Sequence, residues 1–179
     1  EARRLGRRCA SHAHGVGGVR NSIRARVTTI EHCSFQTESG FGWDGELVRE
    51  AVDLGITVCH TVFRGLEKFE NDPDFHFTPA QERMLVLRKS RLALTRRLAD
   101  AGVRLVAGND AGASWCTFSD FPEDLVLTTE GCGFAPTDVL RSATGEAAAA
   151  LGRDDFGVVE AGKAADLLAV DGNPLEDIR

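Results

Sequence analysis

A chain of 179 residues, 42% hydrophobic and 27% charged, can bury a core of its own and has the composition of a globular protein rather than a disordered one. Its 21 basic and 27 acidic residues leave a net charge of -6, which argues against nucleic acid or an anionic membrane surface as the main partner. No apolar run approaches the ~20 residues that cross a bilayer, and five scattered cysteines without a CxxC pair suit reduced thiols and a cytoplasmic setting.

In chain order, strand-like and helix-like stretches alternate, the cadence of parallel βα units. Residues 8–11 are predicted as a first strand, poor in apolar side chains. Residues 18–26 follow as a helix with Val19 and Ile23 at an i, i+4 spacing, and residues 27–30 as a β-branched strand. Asp44 is placed to cap a helix that runs to Leu54 and stops at Gly55, and residues 56–62 read as the third strand. Residues 79–101 predict a long helix, with Met84, Leu85, Leu87, Leu92, Leu94 and Leu98 on its apolar face and Gly102 beyond its end, followed by a fourth strand over 103–107. A shorter helix is expected after Pro122, and another from Pro136 to Leu151. From Asp155 the pattern changes. Residues 156–160 and 166–170 read as short antiparallel strands around a Gly162-Lys163 turn, closed by Asn173-Pro174. The expected division is therefore 1–153 and 154–179.

Three predicted strands end in residues that can bind metal: Ser11-His12-Ala13-His14-Gly15, Glu31-His32, and Gly108-Asn109-Asp110-Ala111-Gly112. In βα barrels the carboxyl ends of the strands converge on one face, so imidazoles and a carboxylate would meet there. Such donors hold Zn²⁺ or a similar divalent ion, and Asp110 is placed both to bind it and to accept a proton from water. His14 shares a strand face with His12 if the extended chain persists, and otherwise touches substrate from the loop. A single histidine at a strand end is more often a hydrogen-bonded structural residue than a ligand; three chemically matched positions at the same place in successive βα units weigh against coincidence. His60, inside the third strand, reads as either a barrel-facing ligand or a satisfied core histidine, with the core reading favoured. His76 reads as exposed on the loop that also carries Arg64 and Lys68, which are either solvated or contacts for a substrate carboxylate. No cysteine has a histidine at a telling spacing, so a thiol nucleophile is not expected.

These segments, with 157–168 (Gly-Val-Val-Glu-Ala-Gly-Lys-Ala-Ala-Asp-Leu-Leu), resemble the amidohydrolase superfamily, and within it the imidazolonepropionase-like and prolidase-type dipeptidase branch. The resemblance implies an α/β fold, the C-terminal half of a (β/α)8 TIM-type barrel (strands 5 to 8) followed by a short β segment of a composite sandwich. It implies a metal-dependent hydrolase of carbon-nitrogen bonds acting on a small-molecule amide or peptide. His12 and His32 would be the ligands on the fifth and sixth strands, Asp110 the eighth-strand ligand and proton acceptor, and His14 a residue facing substrate. Deamination or opening of a cyclic imide or imidazolone is the alternative chemistry. Family members also carry a His-x-His pair after the first barrel strand, and binuclear ones a carboxylated lysine after the fourth; on this mapping the chain contains neither, because its first strand, with His12 and His14, already corresponds to the fifth. Catalysis would then require the missing N-terminal half or a second copy, and the alternative is a non-catalytic piece without metal. Any targeting segment would lie upstream of Glu1.

Overall fold

Aliphatic and β-branched residues build a parallel sheet whose middle strand, β2 (Thr29–Thr37), organises the rest. The computed structural model describes residues 1–112 and 116–179. In it β2 lies between β1 (Ala10–Gly15) and β4 (Thr57–Cys59), with β5 (Arg104–Val106) beyond β4, giving the order β1-β2-β4-β5, all parallel. The two-residue β3 (Gly40–Phe41) folds back antiparallel onto the end of β2. The connections are α1 (Val16–Ala25), α2 (Gly45–Asp53) and α3 (Pro79–Asp100), as parallel pairing demands.

Local chemistry sets the helix ends. Asp44 caps α2, its Oδ1 accepting the Glu46 and Leu47 N–H groups at 3.2 and 3.1 Å. Thr78 and Gln81 form a reciprocal capping box at the start of α3, with Pro79 in the first turn. One continuous core joins Val19 and Ile23 of α1, Leu47, Val48 and Ala51 of α2, and Leu94 and Leu98 of α3 to Ile30 and Val58 of the sheet. Each such aliphatic side chain, fully buried, contributes roughly 1.5–3 kcal/mol. The Arg97 guanidinium covers the Trp43 ring at 3.9 Å, tying α3 to the entry of α2.

Several sequence expectations are corrected. The first two strands extend well past their predicted ends, to Gly15 and Thr37, so the histidines lie within strands rather than after them. Strands three and four are shorter than expected. The helix expected over 136–151 is broken at Thr144 into α5 (Pro136–Ala143) and α6 (Gly145–Leu151); Thr144 leaves helical geometry and its hydroxyl donates back to the Leu140 carbonyl at 2.7 Å. The helix after Pro122 is α4 (Phe121–Cys132). Residues 156–160 and 166–170 form no strand. A strand needs a neighbour for its N–H and C=O groups, and these segments have none among the described residues; Val159 and Leu168 are each 88% exposed. Gly157 nevertheless packs tightly on α6, where a Cβ would come within 2.7 Å of the Ala148 methyl. Among the described residues no helix is long and apolar enough to cross a membrane.

Candidate metal centre

His12 and His14 are two residues apart on β1 and point to the same side, while Ala13 between them is buried against α1. His32 arrives from β2 by a different route. Alternation along β2 would place it on the same helix-covered face as Ile30, but the backbone turns left-handed at His32 (φ 69°) and again at Cys33 (φ 47°) and Phe35 (φ 46°). The parallel register with β1 shifts at the same point, between Ala13 and Gly15. The turn carries the His32 ring to His12, with His12 Nδ1 and His32 Nε2 3.1 Å apart, and stacks it on His14 at 4.2 Å between ring centres. One ligand atom from each of the three rings lies within 4.8 Å of the others.

Outer partners orient two of these rings. Thr61 Oγ1 meets His32 Nδ1 at 2.8 Å and Ser34 Oγ meets His14 Nδ1 at 2.9 Å, leaving the Nε2 atoms for other contacts. Burial, then the neighbouring His14 and His12, pushes the His32 pKa down to about 4, against an opposing pull from Asp110. His14 is lowered chiefly by burial as well. At neutral pH both rings are therefore uncharged, with lone pairs available, the state that a cation requires. The facing His12 Nδ1 and His32 Nε2 atoms are the kind of nitrogen donor that would hold a bound ion. This donor set fits a divalent transition ion.

Asp110 stands outside the imidazole cluster. It is exposed beyond the end of β5, with a left-handed backbone (φ 57°), and its charge favours the protonated forms of His14 and His32. His60 is a core residue as expected, 2% exposed, with Nδ1 accepting the Val62 N–H at 3.2 Å. His76 is exposed on its loop. Arg64 and Lys68 are not simply solvated: they reach α4 and its approach, Arg64 to Glu123 at 3.2 Å and Lys68 to Asp120 at 2.8 Å.

A cavity of about 420 Å³ opens beside the cluster, with His14 and His32 in its wall. Phe41, Leu66, Met84 and Leu87 make most of it apolar, and Arg83 and Arg91 of α3 contribute charge. Two charged residues nearby, the half-buried Arg91 and the buried Asp124, have no sequence signature. Arg91 donates to the carbonyls of His32 and His60, and Asp124 of α4 accepts the Arg64 N–H at 2.8 Å. Neither sits in a motif; only a charge interrupting an apolar helical pattern hints at them.

Fold and site together define a class: a partial parallel βα barrel with imidazoles from adjacent strands gathered at one place. The chain belongs to the amidohydrolase family, whose model matches residues 1–179. It is 41% identical over 158 residues to an imidazolonepropionase of Cutibacterium acnes, covering 79% of this chain and 38% of that protein. It is 26% identical over 181 residues to the ochratoxinase of Aspergillus niger, covering 100% of this chain and 35% of the enzyme. A solved Xaa-Pro dipeptidase with methionine bound in its active site superposes with a TM-score of 0.80 at 30% identity, over 99% of this chain and 42% of the other. The chain thus spans between 35% and 42% of the length of these relatives.

Proposed function

We propose that this chain supplies part of the active site of a metal-dependent hydrolase that cleaves carbon-nitrogen bonds in small amides or peptides. The observation that carries this reading is the meeting of three imidazoles, those of His12, His14 and His32, from two adjacent parallel strands. His12 and His32 would hold the ion together with Asp110, and further ligands would come from chain outside these residues. Zn²⁺ or a similar ion bound there would activate water and polarise the scissile carbonyl. The Asp110 carboxylate accepts the proton of the attacking water and returns it to the departing nitrogen. His14 lines the cavity, as His12 does not, and so contacts the substrate. The largely apolar cavity suits an apolar group next to the scissile bond. Residues 154–179 would supply β structure to a small second domain once strand partners are present.

His32→Ala in the full-length protein is expected to abolish both stoichiometric zinc and turnover of dipeptides and N-acylamino acids; unchanged zinc content and turnover would sink the proposal. A second reading, opening of a cyclic amide such as an imidazolone ring, is favoured by the 41% identity to the imidazolonepropionase. Parallel assays on linear amides and an imidazolone separate the two, because fold alone does not choose between them.

A further inference from the structure

Where the parallel ladder between β2 and β4 stops, an arginine takes the place of the next rung. The paired residues are Thr29 with Thr57, Ile30 with Val58, and Glu31 with Cys59. The next residues, His32 and His60, both turn their carbonyls to Arg91 Nη2, at 2.6 and 2.5 Å. Arg91 comes from the middle of α3. Its Nη1 is closed off from solvent and has no partner, and among the described residues it pairs with no carboxylate. Sheltering a guanidinium without an acid is unfavourable, so what it holds is informative. The backbone around the two carbonyls it grips is left-handed at His32, Cys33 and Phe35 of β2 and at Thr61 just beyond β4. Left-handed backbone is unfavourable for each such non-glycine residue, and charge-assisted hydrogen bonds to two carbonyls offset part of that.

We infer that Arg91 is a positioning residue for the metal centre: its guanidinium clamps the His32 and His60 carbonyls, holding β2 in the left-handed turn that aims the His32 imidazole at His12. The same clamp fixes the end of β4 relative to β2, and so places Thr61, whose hydroxyl sets the His32 ring through Nδ1. The link to function rests on His12 and His32 being ligands; the clamp itself does not.

Arg91→Met in the full-length protein tests both parts. Amide hydrogen exchange should accelerate at residues 32–35 and 60–62 while α1 and α2 stay protected. Zinc affinity, measured by chelator competition, should fall roughly tenfold or more, the scale seen when a partner that orients a ligand is lost. Added methylguanidine should restore it. Exchange that is unchanged or uniformly faster, or zinc affinity equal to that of the parent protein, overturns the inference. If Arg91→Met does not fold, Arg91→Lys, which keeps the cation but offers a single nitrogen, should show the same local pattern to a smaller degree; parental behaviour in Arg91→Lys overturns the inference equally. A parent protein that binds no zinc would defeat the proposed function, and the exchange pattern would still decide the clamp.

Discussion

Asp124 is only 2% exposed, with Oδ1 on the Arg64 N–H and Oδ2 unpartnered. Burial pushes its carboxyl from the ordinary 3.8 up to about 6, although the Arg64 N–H and the Asn109 amide favour the charged form. A folded-state pKa above the unfolded one means that the folded protein binds the proton more tightly, so this group's contribution to stability is greatest below about pH 4 and is lost as pH rises through 6. Asp124→Asn removes that dependence. Between pH 4 and 7 the variant should gain stability relative to the parent by on the order of 2 kcal/mol, read from denaturant unfolding at both pH values; parallel pH profiles would show that the buried carboxyl is not titrating in this range. Residues of this kind mark the limit of what the sequence shows. His12, His32 and Asp110 stand out because side chains of types that can bind metal fall at matching places, at the ends of successive predicted strands. Arg91 and Asp124 are single charges on helices, and only the tertiary structure reveals that Asp124 is buried and that Arg91 reaches the sheet carbonyls.

At the scale of elements, helices were more legible than strands. The Asp44 cap and the start of α3 at Pro79 are specified by side chains within a few residues of each helix end. The extent of β1 is not, because Ser11, His12 and His14 have weak strand preference and join the sheet only through pairing with β2. The left-handed run along β2 has no glycine to announce it. The break at Thr144 depends on a back-bonded hydroxyl and on packing of the tail against α6, both invisible in a run of alanines. The capping box of α3 has a functional consequence, since Arg83, Met84 and Leu87 of its first turns line the cavity. Thr78→Ala should destabilise the protein by about 1 kcal/mol, as loss of a side-chain cap generally does. Because the frayed turns lie on the substrate side of the histidines, KM should rise more than kcat falls. Steady-state kinetics beside a melting curve would measure both, and a fall in kcat alone would place the first turns of α3 outside the substrate site.

For the whole molecule, the sheet has an unpaired edge on each side among the described residues. β1 pairs only with β2 and β5 only with β4, so among the described residues each leaves one ladder edge without a strand. Unpaired edges template pairing with other chains. The tail adds exposed apolar side chains, Val159, Leu167, Leu168, Val170 and Leu175, on a segment that has no strand partner. Relatives more than twice as long contain further chain that could cover these surfaces. Residues 1–179 produced alone should therefore self-associate with rising concentration, seen by sedimentation velocity, and Leu168→Lys should shift the equilibrium toward monomer without changing the helical signal. On the proposed function, zinc binding by the same isolated chain should be weak and substoichiometric, because His12, His32 and Asp110 alone would give an incomplete ligand set and metal affinity is tied to the completed fold. A monomer at all concentrations with tight one-to-one zinc would mean that this sheet needs no further strands and that the three imidazoles, His14 included, are a sufficient site by themselves.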